Sequence, residues 1–358
     1  MLSLAEKAWT YMRFGDGRVR HETGDLQDGL RILIVMLAGL AFLVFASHSK
    51  FGAWVLLDDG GRSEARFEQH ADCFDSVSGQ FYSCTKDGLV EHVRGIKEET
   101  YKNLIGFARK HHVDVFGLVG DGGLGAAGVE YFLSDPVRMG LHADALVNAA
   151  VADRIAGIDL DYESMKAEDK DNYSLFVETL AEKLHRRHKL LTIALCAKDT
   201  EPGDWSGSQS MDYVRIGKVV DRARIMTYDQ HEEGGPAGPV ADIAWVKLVM
   251  NHALTLIPKE KLELGIPGYG YNWSPPKASG IDWTKFSALP GADKAGRDPA
   301  SNELLLPTTG GAAWFCDSVS ESPKLDLATS LGLRGVYMWV SGSEDPKWWD
   351  VVKPWTRN

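Results

Sequence analysis

Short apolar runs recur along most of the chain, and nearly all are followed by a segment with helical spacing. The runs 51–57 (FGAWVLL), 113–119 (VDVFGLV), 190–197 (LLTIALCA), 223–228 (ARIMTY), 262–267 (LELGIP) and 335–340 (GVYMWV) have the length and composition of buried strands. A weaker strand is expected at 71–74, and 155–163 (IAGIDLDYE) completes a set of eight. Helices are predicted at 95–112, 136–153, 172–188, 211–220, 241–256 and 322–331, with a short last one near 346–352. The clearest is 172–188, where Leu175, Phe176, Leu180 and Leu184 make one apolar stripe. Alternation of strand and helix implies a parallel sheet. Eight repeats predict an α/β fold closed as a (β/α)8 TIM barrel. A doubly wound open sheet is the alternative, but no GxGxxG stands at a first βα turn. The stretch 273–312, rich in Gly, Pro and Asp, predicts a small insertion before the last strand.

The run 155–163 differs from the others. Side chains alternate faces along a strand, so Asp159, Asp161 and Glu163 share one face while Ile158, Leu160 and Tyr162 share the other. Neighbours on the acidic face lie roughly 6–7 Å apart. The segment reads either as an edge strand with its acids in water or as a barrel strand with its acids aimed into the lumen. In a barrel the C-terminal strand ends carry the chemistry. Reading only those ends collects Asp161 and Glu163, then Tyr228, Asp229 and His231, then Tyr269, Tyr271 and Trp273, and finally Trp339. Aromatic faces stack on the apolar faces of sugar rings and carboxyls do acid–base work, so the combination points to carbohydrate. Tyr269 and Trp273 are candidate sugar platforms, and His231 reads as a loop residue. With Asp159, Asp161 and Glu163 as oxygen ligands, a barrel enzyme dependent on Mg²⁺ or Ca²⁺ is a competing reading. It gives Tyr228 and Trp339 no role.

The ordered motifs resemble glycoside hydrolase family 18. The family's fourth strand carries DGxDxDxE, here Ala156-Gly157-Ile158-Asp159-Leu160-Asp161-Tyr162-Glu163; its sixth carries MxYD, here Met226-Thr227-Tyr228-Asp229; its eighth carries a tryptophan, here Trp339. The resemblance covers residues 50–358. MTYDQH, GGPAGPVA, LGIPGYGYNW, AWFCDS and RGVYMWVSGSEDP are similar to the bacterial branch that includes spore-cortex-lytic N-acetylglucosaminidases. The resemblance implies hydrolysis of a β-1,4-linked N-acetylglucosamine glycan, peptidoglycan or chitin-like, with no cofactor and no metal. It assigns Glu163 as the acid and base, with a raised pKa. Asp161 would hold the 2-acetamido group, whose oxygen is the nucleophile, and Asp159 would tune Asp161. Tyr228 would orient the acetamido carbonyl, Asp229 would contact the same sugar, and Trp339 would form the floor beneath it. One position departs from the pattern: its first Asp, a supporting residue expected deepest in the lumen, is Ala156. A lectin-like barrel that binds glycan without turnover is the alternative, although such proteins usually lack the glutamate.

Composition adds the setting. The chain has 358 residues and a formal net charge of −11, and no basic run follows its N-terminal region, so nucleic acid is not an expected partner. Residues 32–47 (ILIVMLAGLAFLVFAS) carry no charge, and flanking Leu30, Arg31 and Lys50 extend them towards a bilayer span. Lys7, Arg13, Arg18, Arg20 and Arg31 upstream favour a cytoplasmic N-terminus. The predicted arrangement is a cytoplasmic segment at 1–31, a transmembrane signal-anchor at 32–47 and an extracytoplasmic barrel at 50–358. Secretion after cleavage near Val44-Phe45-Ala46 is the alternative, and a buried core helix is a third reading. Cys73 and Cys84 could close a small disulfide loop outside the cytoplasm. Cys196, in an apolar run, reads as a buried thiol.

Overall fold

A computed structural model describes residues 50–357 apart from Lys86, Gly122, Gly123 and Pro276. The described residues open with β1 (Lys50–Val55) and α1 (Arg62–Gln69), then β2 (Ser76–Cys84) and a short β3 (Val90–His92) folded back antiparallel on it. Next come α2 (Glu98–Lys110), β4 (Asp114–Gly120), the helices α3 (Gly125–Leu133) and α4 (Pro136–Ala152), β5 (Gly157–Asp161), α5 (Lys170–His185) and β6 (Leu190–Cys196). Two short helices, α6 (Ser206–Ser210) and α7 (Tyr213–Val219), lead to β7 (Arg222–Met226), α8 (Ile243–Leu254) and β8 (Leu262–Pro267). Strands β1, β2, β4, β5, β6, β7 and β8 are joined by a final strand named below, and the β1–β2 pairing closes them into an eight-stranded parallel barrel. The predicted barrel is the observed one.

Residues after β8 form a second, antiparallel sheet. It contains β9 (Gly270–Asn272), β10 (Ser279–Ile281), β11 (Gly296–Arg297), β12 (Leu304–Thr308) and β13 (Gly311–Phe315), with the short helix α9 (Trp283–Ser287) packed on it. Ile281, Phe286, Leu306, Ala313 and Phe315 give this sheet a small core of its own. The chain then returns through α10 (Ser318–Leu331) to the last barrel strand, β14 (Gly335–Trp339), and ends with α11 (Trp348–Arg357).

The two faces of β5 separate as alternation requires. Ile158, Leu160 and Tyr162 are fully buried on the side of the helices, where the Tyr162 ring lies parallel to Phe176 at 6.1 Å. Asp159 is fully buried as well, inside the lumen. Ala156 precedes β5 and shares the phase of Ile158 and Leu160, so it does not occupy the deep lumen position expected for it. At the N-terminal end of the barrel, Asp75 collects Lys50, Arg222 and Arg334 within 3.3 Å, and Arg334 also reaches Glu263 at 3.0 Å.

Two expectations fail around the second strand. Residues 71–73 form a turn of 3-10 helix and the strand follows at Ser76–Cys84. Its Ser-Gly-Gln centre weakens the apolar signal, although Val77, Phe81 and Tyr82 are buried. The Cys73–Cys84 bridge is not formed; the Cys84 thiol lies 2.9 Å from the Tyr162 hydroxyl. The segment between these cysteines is a strand rather than a loop. At about 3.3 Å per residue it holds its ends far beyond the ~7 Å that a disulfide spans. The expected cytoplasmic segment 1–31 and transmembrane segment 32–47 lie outside the described residues. Among the described residues no helix is long and apolar enough to cross a membrane.

Gly157 begins β5 at a close approach of two backbones. A Cβ there would lie 1.9 Å from the carbonyl oxygen of Leu190 on β6. Backbone cannot rotate away as a side chain can, so Gly157→Ala should destabilise the barrel by about 2 kcal/mol or more, within or above the range for overpacking. The shift of the urea midpoint measures this, and an unchanged midpoint contradicts the β5–β6 contact.

Candidate active site

Asp161 is the last residue of β5, and Glu163 follows just past the strand. A carboxylate from the neighbouring strand end shapes this turn. Asp121, directly after β4, accepts the backbone N–H of Glu163 at 2.9 Å and of Ser164 at 2.6 Å. The two hydrogen bonds bend the chain out of the strand and leave the Glu163 side chain at the barrel mouth.

A cleft of about 820 Å³ opens there, and Asp161, Glu163, Tyr228, Asp229 and Trp339 all line it. A second hollow of about 400 Å³, bordered by Gln80, Tyr82 and Asp121, meets the first at Asp161, Glu163 and Trp339. Asp159 lies beneath, outside both. Its Oδ2 accepts Trp54 Nε1 at 2.9 Å and is ion-paired with Arg224, and its Oδ1 accepts Thr192 Oγ1 at 2.7 Å. Both oxygens are committed within the barrel, so Asp159 offers no free carboxylate edge to the cleft. Tyr269 and Tyr271 both donate to Asp229 Oδ1, the latter at 2.8 Å. Trp273 is not among the residues lining the cleft; its Nε1 donates to the Gly235 carbonyl at 3.2 Å and its ring packs on Tyr271. His231 is a loop residue, its Nδ1 2.9 Å from the Pro239 carbonyl.

Electrostatics separate the carboxyls. Burial raises the Asp161 pKa well above its usual range, and the charges of Glu163, Asp159 and Asp121 add to the effect against Arg224. Among the described residues its buried Oδ1 has no hydrogen-bond partner. Glu163 is raised by burial first and then by Asp121 and Asp229, against a weak contact from the Cys196 thiol at 3.7 Å. Asp229 is raised by burial, while the Tyr269 and Tyr271 hydroxyls work the other way. It also adopts φ 58°, a left-handed conformation that Asp tolerates better than most residues. Such positions cluster at functional sites.

Several site residues were not singled out from the sequence. Asp121 had a readable signal, since it stands directly before the Gly-Gly that stops its strand. Trp205 and Trp245 line the outer cleft from a loop and a helix start, where no periodicity marks them. Trp205 is 46% exposed, as an aromatic platform for a sugar requires. Glu303, from the antiparallel sheet's segment, is fully buried and accepts the backbone N–H groups of Val240 and Ala241, each at 2.8 Å. It thereby ties down the loop that carries Asp229 and Gln230, whose own N–H donates to the Val240 carbonyl.

Comparison with known proteins decides the family. The chain matches Glycosyl hydrolases family 18 over residues 61–344. It belongs to that family. A glycosylase of Bacillus subtilis, YvbX, is 28% identical over 228 residues, which cover 60% of this chain and 65% of that protein. The cortical fragment-lytic enzyme of the same organism is 28% identical over 207 residues, 54% of this chain and 48% of that protein. The chain thus spans less than two thirds of the length of either relative. Among solved structures, a class V chitinase from Pseudomonas fluorescens superposes with TM-score 0.76 at 26% identity, covering 85% of this chain and 98% of that one. The spore cortex-lytic enzyme SleL of Bacillus megaterium shares the fold, with TM-score 0.74 at 22% identity over 85% of this chain and 73% of that one.

Asp121 provides a test of this family-18 site. In Asp121→Asn the side-chain oxygen still accepts the two backbone N–H groups, but the charge that raises Glu163 is gone. The Glu163 pKa should fall, so that the acid loses its proton at lower pH. The alkaline limb of the pH–rate profile should move to lower pH while the urea midpoint stays in place. An unmoved alkaline limb in a folded variant would show that Asp121 does not set the acidity of Glu163.

Proposed function

We propose that this family-18 chain is a retaining glycoside hydrolase that cleaves β-1,4-linked N-acetylglucosamine glycans, peptidoglycan or chitin-like, by substrate-assisted catalysis. One observation carries the reading. Asp161, Glu163, Tyr228, Asp229 and Trp339 line a single cleft, and in it the Asp161 carboxylate keeps a buried oxygen with no partner among the described residues. The likeness to a cortical fragment-lytic enzyme and to a chitinase supports an N-acetylglucosamine polymer as substrate.

Most retaining glycosidases attack with a second carboxylate; family 18 is among the exceptions, where the substrate's acetamido group takes that role. In this scheme Trp339 floors the sugar at the cleavage point, and Asp229 and Tyr228 hold its acetamido arm. The partnerless oxygen of Asp161 accepts the acetamido N–H, which turns the acetamido oxygen towards the anomeric carbon. That oxygen forms the new C–O bond as the glycosidic C–O bond breaks, and Glu163 gives its proton to the departing oxygen. The bicyclic cation lies against Asp161. Glu163, now a carboxylate, takes a proton from water, whose oxygen attacks the anomeric carbon on the opposite face and reopens the ring. The sugar leaves with its original configuration.

Glu163→Gln keeps shape but has no proton to deliver. It should lose activity on chitin oligomers or purified peptidoglycan by about 10²–10⁴-fold while retaining glycan binding. A substrate with hydroxyl in place of acetamido at the cleavage point should resist the wild-type enzyme almost completely. Comparable cleavage of that substrate, with a sugar trapped on Asp161, would point to the ordinary two-carboxylate route. Product masses from the two polymers identify which one is used.

We also propose that residues 32–47 anchor the enzyme in the membrane with its barrel outside the cytoplasm. The charge-free run and the basic residues upstream support this. Protease added to spheroplasts should remove the barrel, and full protection until the cytoplasmic membrane is lysed would overturn the placement.

A further inference from the structure

Opposite the cleft, at the N-terminal face of the barrel, the helices hand the chain back to the strands. Five neighbouring strands, β4 to β8, are entered there through exposed cations: Arg109 and Lys110 before β4, Arg154 before β5, Arg187 before β6, Lys218 before β7 and Lys259 before β8. Among the described residues none of the six is ion-paired. The carboxylates beside them are taken by other groups: Asp114 by Arg222, Asp153 by His92, Glu182 by Arg186 and Asp221 by His185. Glu260, next to Lys259, is the exception. Cations also suit the end of a helix, but that attraction fades beyond the last turn. It accounts for Arg109, Lys110 and Lys218. Arg154, Arg187 and Lys259 lie past the ends of α4, α5 and α8, so the helix dipole does not explain them.

The mouth has the opposite sign. Asp58 is exposed after β1, and Asp199, Asp204 and Glu232 are exposed on the cleft wall, none of them ion-paired among the described residues. A chain of net charge −11 thus gathers a ring of unpaired positive charge at one end of its barrel axis. Such a body turns that end towards an anionic surface. The connectivity of the chain leads to the same face. Lys50 begins β1 there and meets Asp75 at 3.2 Å. His48 and Ser49 alone separate Lys50 from the charge-free run 32–47, and three steps of chain reach at most about 11 Å.

We propose that the N-terminal face of the barrel binds anionic phospholipid headgroups through this ring of cations and so turns the cleft away from the bilayer. Its tether rests on the membrane-anchoring reading above, and the test separates the two. A tether supplies nearness, but attachment at one point of the rim leaves the barrel free to tip. The cations supply orientation, because they come from five strand entries around the axis. In 1 M salt, where screening shortens to about 3 Å, the tether holds and the orientation is lost.

The full chain can be reconstituted in nanodiscs of phosphatidylcholine, alone or mixed with phosphatidylglycerol, that carry a quencher on the lipid headgroup. A fluorophore at Glu260→Cys reports the N-terminal face and one at Asp58→Cys reports the mouth, with the labelled wild type as background. The label at 260 should be quenched more strongly in the anionic discs and should lose that excess in 1 M NaCl, while the label at 58 stays bright throughout. Combining Arg154→Glu, Arg187→Glu, Lys218→Glu and Lys259→Glu should abolish the excess. Equal quenching at 260 in the two lipids, or quenching at 58 that rises with phosphatidylglycerol, overturns the proposal, whether or not the fourfold variant folds. A label at 260 that ignores lipid charge but is shielded by added polyphosphate overturns it in favour of a soluble polyanion. Failure of the anchor shows separately, as a chain that does not stay with the neutral discs. Flotation with phosphatidylglycerol vesicles then decides: flotation lost in 1 M NaCl supports the proposal, and none at low salt overturns it.

Discussion

The ion pair between Asp159 and Arg224 is the constraint around which the barrel interior is arranged. Two charges removed from water cost several kcal/mol each unless their remaining donors and acceptors are met. Here Trp54 from β1, Ser78 from β2, Thr192 from β6, Glu263 from β8 and Tyr337 from β14 answer most of that requirement, while Arg224 Nη2 has no hydrogen-bond partner among the described residues. Seven of the eight barrel strands therefore contribute to one polar layer. Glu263 passes the alternation of charge downward to Arg222 and Arg334, and Asp75 receives both at the floor. The lumen carries charge of alternating sign from its floor to the base of the cleft. Above Asp159 the alternation stops, and Asp161, Glu163 and Asp121 stand together. An unbalanced negative charge at the mouth suits the proposed reaction, in which the site holds a proton and then steadies a cationic sugar.

The outward side of the same strand has a different task. Leu160 and Tyr162 bury their bulk under α4 and α5, and the Tyr162 hydroxyl finds His142 and Cys84. Helix packing on one face and ion pairing on the other fix β5 from both sides. Asp121 can then hold the turn at Glu163 against a firm support. A residue two places further along a mobile loop could not be kept at one distance from Asp161.

Much of this was legible in the chain. Alternation placed Asp159 and Asp161 on one face, and the strand ends assembled Glu163, Tyr228, Asp229 and Trp339, because both patterns depend only on local geometry. The second strand escaped because Ser78, Gly79 and Gln80 break the apolar run where the barrel uses a polar lumen residue. The same polar centre made the interval between Cys73 and Cys84 look like a loop. Arg224 left a signal that went unread: it is a charged residue in an apolar run, in phase with Met226 and Tyr228 and hence on the lumen face. Asp121, Trp205 and Glu303 act across distances set by the closed barrel and by the added sheet, and no window of sequence contains both members of such a contact. Trp273 was placed by its company in sequence, and its packing on Tyr271 took it away from the cleft.

Glu303 has a consequence for how this scaffold can be altered. Its carboxylate is the clasp between two excursions of the chain that are more than sixty residues apart, at 240–241 and at 303. The antiparallel sheet is therefore not an ornament that could be trimmed to leave a minimal barrel. Removing it would strip two buried N–H groups of their acceptor and free the segment on which Asp229 is mounted. Replacing the sheet with another module calls for an acceptor returned to the same spot. Exchange of loops at this rim is thus an exchange of matched pairs, and the unit of modularity is larger than any single connection between strand and helix.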